Sequence, residues 1–296
     1  ECAPGTGYYD TLAAIAQSQL EDLVAKGLEG KSIHQIWAMA YEHQVNPSAL
    51  AALDVALWDL TAKRAGLPLY QVFGLSPRSA PTSVTIGINP VEVIRERVPE
   101  ILARTGGKAL KIKLGSPDGW QRDQENYEAA REVSAPFGVQ LRVDANGGWD
   151  VPTAQNMMGW LAERGCDYVE QPLAEGREDE LPHLFEGRPL PIYCDESCRF
   201  SQDVPRLAGR ADGVNLKLMK CGGLTEAIRI VATARACGLG TMIGCMGESS
   251  VAISAGAAIG ELFDHIDLDS QINLNPDPAI GAPMIDGVVT PPDRPG

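Results

Sequence analysis

From about residue 82 to residue 270, short apolar runs alternate with longer stretches of helical period. The runs read as strands at 83–88 (SVTIGI), 109–114 (ALKIKL), 140–144 (QLRVD), 167–171 (DYVEQ), 191–195 (PIYCD), 213–218 (GVNLKL), 240–245 (GTMIGC) and 263–268 (FDHIDL). The segments between them are long enough for helices. Helical signals mark Pro90 to Ala103, Asp118 to Ser134, and Thr225 to Cys237, where Gly238 serves as a C-cap. Eight strands alternating with helices predict an α/β fold, a TIM-type (β/α)8 barrel; a doubly wound sheet is the alternative, but eight consecutive units favour closure. Residues 1–80 are mainly helical instead. Pro47-Ser48 opens a run with Leu50, Leu53, Ala56, Leu57 and Leu60 on one face, and Gly66-Leu67-Pro68 ends it. After residue 275 come Pro-rich loops and a strand-like run at 284–289 that must pack outside the barrel. The expected divisions are 1–80, 81–275 and 276–296.

Side chains alternate across a strand, so residues i and i+2 share a face. In the second strand Leu110, Ile112 and Leu114 suit the surrounding helices, which turns Lys111 and Lys113 together into the barrel. The same alternation points Asp144, Glu170, Asp195 and Lys217 inward, and sets His265, Asp267 and Asp269 opposite Ile266 and Leu268. Taken singly, each has an ordinary reading as a solvated strand-end charge or a helix cap. Together they do not, because an unpaired buried charge costs several kcal/mol and must find a partner or a metal. These positions are the C-terminal rim, where barrels of this kind build active sites.

Asp144, Glu170 and Asp195 end strands three, four and five, so consecutive βα units set three oxygen ligands around one point. An all-carboxylate set suits a hard cation; Mg²⁺ fits best because it retains water or substrate in its shell, with Mn²⁺ second. Lys113 on strand two and Lys217 on strand six then flank the cation from opposite walls. A lysine is a base only when neutral, and its ordinary pKa is about 10.4. Lys111 beside Lys113, and a divalent ion nearby, supply repulsion of the sign that lowers it. Two bases on opposite faces of a metal-held carboxylate suggest removal of an α-proton from one side and its return from the other, through an enediolate.

Composition narrows the partners. Lys and Arg number 25 against 39 Asp and Glu, for a net charge of −14, which repels phosphate backbones and anionic lipid. Neither nucleic acid nor membrane is expected, and no stretch reaches 18 apolar residues in a row. Seven cysteines, an odd number without a CxxC pair, read as buried thiols in a reducing, cytoplasmic setting. Gly222-Gly223 lacks the rest of a phosphate loop and reads as a tight turn. His34, His43 and His183 lie away from the strand ends and receive no role.

Lys111-Ile112-Lys113, Asp144-Ala145-Asn146, Val169-Glu170-Gln171-Pro172, Asp195-Glu196-Ser197 and Val214-Asn215-Leu216-Lys217, in this order, resemble the enolase superfamily and more closely its muconate-lactonising subgroup. Ala52 to Leu60 followed by Gly66-Leu67-Pro68-Leu69-Tyr70 is similar to the family's capping domain, so the resemblance covers nearly the whole chain. It implies an enolase-like modified barrel with a partial α+β capping domain. It also implies Asp144, Glu170 and Asp195 as Mg²⁺ ligands, Lys113 and Lys217 as the acid/base pair, and Lys111 as a contact to the substrate carboxylate. Asp267-Leu268-Asp269 is similar to the Asp-x-Asp pair with which dipeptide epimerases grip a free α-ammonium, a group whose three donors two adjacent carboxylates satisfy well. Cys245, next to Met246, and Thr85 match positions that contact dipeptide in those enzymes.

The expected activity is thus a Mg²⁺-dependent dipeptide epimerase that inverts the α-carbon of the C-terminal residue by two-base proton transfer. An Ala-Glu substrate of peptidoglycan turnover is the best-known type. Two rivals stand beside it: an N-succinyl amino acid racemase, o-succinylbenzoate synthase or cycloisomerase of the same subgroup, and a non-catalytic truncated barrel. The opening Glu1-Cys2-Ala3-Pro4, with no initiator Met, implies lost residues upstream, among them the cap strands and a specificity loop. Only the loop from Gly5 to Thr11 then covers the site, and it holds no Arg or Lys to favour an acidic side chain. Related barrels lead one to expect a homo-oligomer.

Overall fold

A computed structural model describes residue 1 and residues 13–296; the Gly5–Thr11 loop singled out above lies outside the described residues. Four helices come first: α1 (Ala13–Ala25), α2 (Ile33–Glu42), α3 (Pro47–Ala65) and α4 (Leu69–Val72). Local chemistry sets their ends. Ser32 and Gln35 form a reciprocal capping box at the start of α2. Asn46 caps α3 with Pro47 in the first turn, and Gly66 ends it at φ 69°, a left-handed geometry that favours glycine.

Eight parallel strands follow in sequential order: β1 (Ser83–Ile86), β2 (Ala109–Lys113), β3 (Gln140–Asp144), β4 (Cys166–Glu170), β5 (Ile192–Cys194), β6 (Gly213–Lys217), β7 (Gly240–Gly244) and β8 (His265–Asp267). The ring closes through a single parallel bridge, Thr82 to Ile266, helped by the Leu268 N–H donating to Thr82 Oγ1 at 2.8 Å. Full helices follow four of the strands directly, α5 (Val91–Thr105), α6 (Trp120–Ser134) and α7 (Val151–Ala162) after β1 to β3, and α12 (Ser250–Ala258) after β7. The links out of β4 and β5 hold 3-10 turns at Glu178–Glu180 and Ser201–Asp203 and the one-turn helices α8 (Pro182–Phe185) and α9 (Val204–Leu207), in place of the full helices that the alternation predicts. Pro172, Pro182, Pro189 and Pro191, with Gly176 and Gly187, break up the first of these links. After β6 the chain makes the one-turn helix α10 (Leu218–Cys221) and then α11 (Leu224–Ala236). The 284–289 run is a small hairpin, β9 (Met284–Ile285) and β10 (Val288–Val289), outside the barrel; Gly287 O accepts from Thr82 N at 2.8 Å.

The apolar core lies between sheet and helices, built on outward residues such as Leu110, Ile112, Val143, Val169, Val214, Leu216 and Ile243. The barrel interior is different. At its lower end the rings of Tyr168, Tyr193 and His265 meet within 5.1 Å of one another, with Met242 among them. The Tyr193 ring lies on the backbone of Gly213 and Gly240, where no side chain fits. Above this plug the interior becomes ionic.

Candidate active site

Strand register sets the ionic layer. Lys113 pairs with Asp144, and Asp144 with Glu170, in the ladder; Asp195 follows the last residue of β5. One carboxylate oxygen from each of Asp144, Glu170 and Asp195 lies within 4.8 Å of the others, and all three side chains are buried. Lys113 Nζ approaches Asp144 Oδ2 at 2.5 Å from β2, and Lys217 Nζ approaches Asp195 Oδ2 at 2.7 Å from β6, four strands away around the ring. The two lysines therefore stand on opposite walls with the carboxylates between them.

Lys111 is buried below this layer. Its Nζ contacts Asp267 and lies 3.3 Å from Glu170 Oε2 and 3.8 Å from Asp144 Oδ2. It lies near carboxylates from three strands and shares Asp144 Oδ2 with Lys113. Burial disfavours its charge, but Asp267, Glu170 and Asp144 outweigh that and hold the ammonium well above the ordinary lysine range. Lys217 is the same case: desolvation opposes its charge, while Asp195 and Glu170 raise it well above the usual value.

The carboxylates carry the complementary strain. Burial, then the charge of Asp144, pushes Glu170 up to about 8. Asp195 is held far below the usual carboxylate range, since Lys217 and Lys220 overcome the opposing cost of burial. Three crowded, buried carboxylates without His or Cys form a donor set for a hard divalent cation, whose charge would relieve the repulsion that raises Glu170.

Thr85, Cys245, Asp267 and Asp269 converge at the rim. The Thr85 N–H donates to Asp269 Oδ2 at 2.6 Å and its hydroxyl donates to Asp267 Oδ1 at 3.3 Å. The Cys245 thiol lies 3.3 Å from Asp267 O. Asp269 is pushed up to about 6 by burial and by the charge of Asp267. A cavity of about 360 Å³ opens over this cluster and both facing lysines, with Met246, Ser270 and Asn273 also lining it. All ten side chains singled out in the sequence meet in one place.

Three further residues belong to the assembly. Asn215 Nδ2 donates to Glu170 Oε1 at 2.7 Å. Lys220, fully buried, reaches Asp195 Oδ1 at 2.5 Å and Asn215 O at 2.8 Å. Asn146, in the left-handed region at φ 44°, donates its backbone N–H to Asp144 Oδ1 at 2.8 Å. Alternation marks Asn215, two residues before Lys217 and on the same face. Lys220 lies on a helical turn after the strand, where period-2 reading has no purchase.

A parallel barrel with a buried carboxylate triad between facing lysines defines a class of enzyme. Residues 93–296 match the enolase C-terminal domain-like family model, and residues 1–74 match the N-terminal domain of mandelate racemase / muconate lactonizing enzyme. The chain belongs to this family of the enolase superfamily. A hydrophobic dipeptide epimerase from Roseobacter litoralis is 59% identical over 296 residues, spanning 100% of this chain and 86% of that one. A second, from Flavobacteria bacterium, is 58% identical over the same span and 85% of its own length. The crystal structure of a dipeptide epimerase from Enterococcus faecalis complexed with Mg and the dipeptide L-Leu-L-Tyr superposes with a TM-score of 0.92 at 30% identity, covering 100% of this chain and 85% of that one. Among the described residues, no helix is long and apolar enough to cross a membrane.

Proposed function

We propose that Asp144, Glu170 and Asp195 hold Mg²⁺ and that Lys113 and Lys217 exchange protons on the two faces of a dipeptide's C-terminal α-carbon. The chain is a dipeptide epimerase, and the observation that carries the roles is the pair of facing lysines, each ion-paired to a different carboxylate of one buried triad. The bound ion supplies positive charge to the substrate carboxylate and so acidifies the adjacent C–H. Asp195 pairs with Lys217; with Asp195 shared by a cation that pairing would weaken, so Lys217 would more readily give up its proton and stand as the neutral amine that accepts the α-proton. The proton leaves one face to one Nζ and another returns from the opposite Nζ, which inverts the centre. Asp267 and Asp269, oriented by Thr85, receive the N-terminal ammonium. Lys111 keeps Asp267 and Glu170 in place and offers its charge to the substrate carboxylate.

Within the class we favour apolar dipeptides over Ala-Glu. Both relatives above are named for hydrophobic substrates. A role in peptidoglycan turnover would require Ala-Glu to react well. Six described cysteines without a disulfide suit the reducing cytoplasm, where we place the enzyme.

Proton NMR in D₂O with Mg²⁺ tests the reading on L-Leu-L-Tyr, L-Ala-L-Glu and an N-succinyl amino acid. Loss of the C-terminal α-proton signal with growth of the diastereomer is expected for the apolar dipeptide first. Reaction of the N-succinyl compound alone would overturn the dipeptide reading. Silence with all three substrates would return the chain to the non-catalytic alternative.

A further inference from the structure

Asp54 lies on α3, in the helical N-terminal region, yet its carboxylate serves the barrel. The side chain is 1% exposed. It accepts from the Thr225 backbone N–H at 2.9 Å and from Thr225 Oγ1 at 2.6 Å, 171 residues along the chain. Thr225 is the second residue of α11, whose N-cap position is Gly223 and has no side-chain cap of its own. An N-cap side chain normally accepts from this N–H; here a residue of another helix takes that place.

The neighbouring contacts are built for that arrangement. Gly223 sits at φ 106°, and a Cβ there would fall 2.5 Å from Asp54 Oδ2; Gly222, at φ 83°, is pressed against Leu50 and Trp37. Trp37 Nε1 donates to Gly222 O at 2.9 Å, and Trp58 Nε1 donates to Thr225 Oγ1 at 2.9 Å. Three side chains from α2 and α3 thus grip one four-residue turn. On the other side of that turn stands Lys217. It is the N-cap of α10, and Leu218 O accepts from both Gly222 N and Gly223 N at 3.0 Å. A single helical turn has no stability of its own, so packing sets its direction. Lys113 is held from within the barrel domain instead: Leu114 donates its N–H to Asp144 O, and Gly115 and Ser116 donate theirs to buried Asp123 of α6 at 3.0 and 2.9 Å.

We propose that Asp54 is a positioning residue for Lys217: by capping α11 from α3 it fixes the Gly222-Gly223 turn and thereby the reach of one of the two proton-transfer lysines. The inference rests on the two-base reading above. Its consequence is asymmetric, because a loosened turn displaces the base on one face of the substrate and leaves the other in place. A displacement of about 1 Å at a proton-transfer group costs on the order of 100-fold in rate, so a partial one is measurable.

The test follows α-proton exchange into D₂O separately from the two C-terminal epimers, L-Leu-L-Tyr and L-Leu-D-Tyr. Lys113→Ala and Lys217→Ala first assign one epimer to each lysine. Asp54→Ala is then expected to lower kcat on the Lys217 face about tenfold more than on the Lys113 face, with KM nearly unchanged. Asp54→Asn, which keeps one acceptor, recovers part of the loss, and Thr225→Val falls between. Asp59→Asn, on the exposed side of α3, leaves both faces as they are. Circular dichroism and thermal melting accompany each variant; if Asp54→Ala does not fold, Asp54→Asn and Thr225→Val carry the comparison. Equal losses on both faces, or no loss on either, would overturn the inference. Failure of Lys217→Ala to silence one face selectively would instead sink the two-base reading, and this inference with it.

Discussion

Thr85 donates its backbone N–H to Asp269 across the seam of the barrel, joining the first strand to the end of the last at 2.6 Å. The same residue's hydroxyl holds Asp267, so the pair proposed to receive an ammonium is oriented by the closure of the fold itself. Asp267 has a second duty as the partner of Lys111, which makes Asp269 the cleaner probe. Asp269→Asn should reduce kcat/KM for dipeptides by roughly 10- to 150-fold, the worth of about 1.5–3 kcal/mol for a charge-assisted hydrogen bond. Thr85→Val keeps the N–H and should cost far less, about two- to threefold in KM. Steady-state kinetics on both variants check this.

Asp269 also predicts an acid limb. Burial and Asp267 raise its pKa to about 6, so it is an anion above that value and becomes neutral as pH falls through it. Binding of a cationic N-terminus should weaken below about pH 6, as an increase in KM. The Asp269→Asn variant should lack this limb, and a pH profile of kcat/KM for wild type and variant decides the point.

The metal triad gives a prediction about stability in the opposite direction. Glu170 has a folded-state pKa of about 8, above its ordinary 4.5, so the folded protein holds a proton there that the unfolded chain releases. A raised pKa stabilises fully below 4.5 and its contribution is lost as pH rises through 8. Mg²⁺-free protein should therefore lose melting temperature between pH 6 and pH 8.5. Saturating Mg²⁺ should reverse that slope and add about 2.7 kcal/mol at 100 times its Kd. Differential scanning fluorimetry with and without EDTA measures both, and Glu170→Gln should abolish the response to Mg²⁺.

Much of this site was legible because a barrel strand imposes a strict two-residue alternation on a chain whose outward positions are apolar. Lys111 and Lys113 against Leu110 and Ile112, or Asn215 and Lys217 against Val214 and Leu216, identify the inner face without a structure. Partnership within that face was not legible. Nothing in the alternation shows that Lys111 meets Asp267, which reaches its Nζ across the seam from β8, two strands away round the ring. Lys220 escaped because it follows the strand on a helical turn, and Asp54 because its partner lies 171 residues away. The short links out of β4 and β5 carry proline signals that were visible, but a barrel template supplied helices where the prolines argue against them.

His265 forms part of the plug below the site, with its ring centroid 4.8 Å from that of Tyr168 and 5.1 Å from that of Tyr193. Burial, assisted by the nearby charge of Arg142, pushes its pKa down to about 4 from the ordinary 6.5. The fold thus holds a neutral imidazole that the unfolded chain would protonate. A depressed histidine pKa gives stability that is complete above 6.5 and is lost as pH falls toward 4. His265→Phe should flatten the dependence of urea midpoint on pH within that window, while leaving the Glu170 response at higher pH intact.

The lower plug also restricts backbone. At Gly213 an added Cβ would stand 2.2 Å from Tyr193 Cε1 and 2.9 Å from the Gly240 carbonyl oxygen. The first contact could be relieved by moving the ring, but Tyr193 is packed against Tyr168 and His265 and has nowhere to turn. The second is with backbone of the adjacent strand, in register with Gly213 itself, and cannot be relieved without separating β6 from β7. Gly213→Ala should therefore destabilise the enzyme by about 1–3 kcal/mol, the usual cost of overpacking, or more. Tyr193→Leu should recover only the part due to the ring. Because β6 ends in Lys217, the same variant should lose exchange on the Lys217 face of the substrate at temperatures where it remains folded. A melting curve paired with the two-epimer exchange assay separates the loss of stability from the loss of register, and unaltered exchange on both faces would show that β6 keeps its place despite the added methyl group.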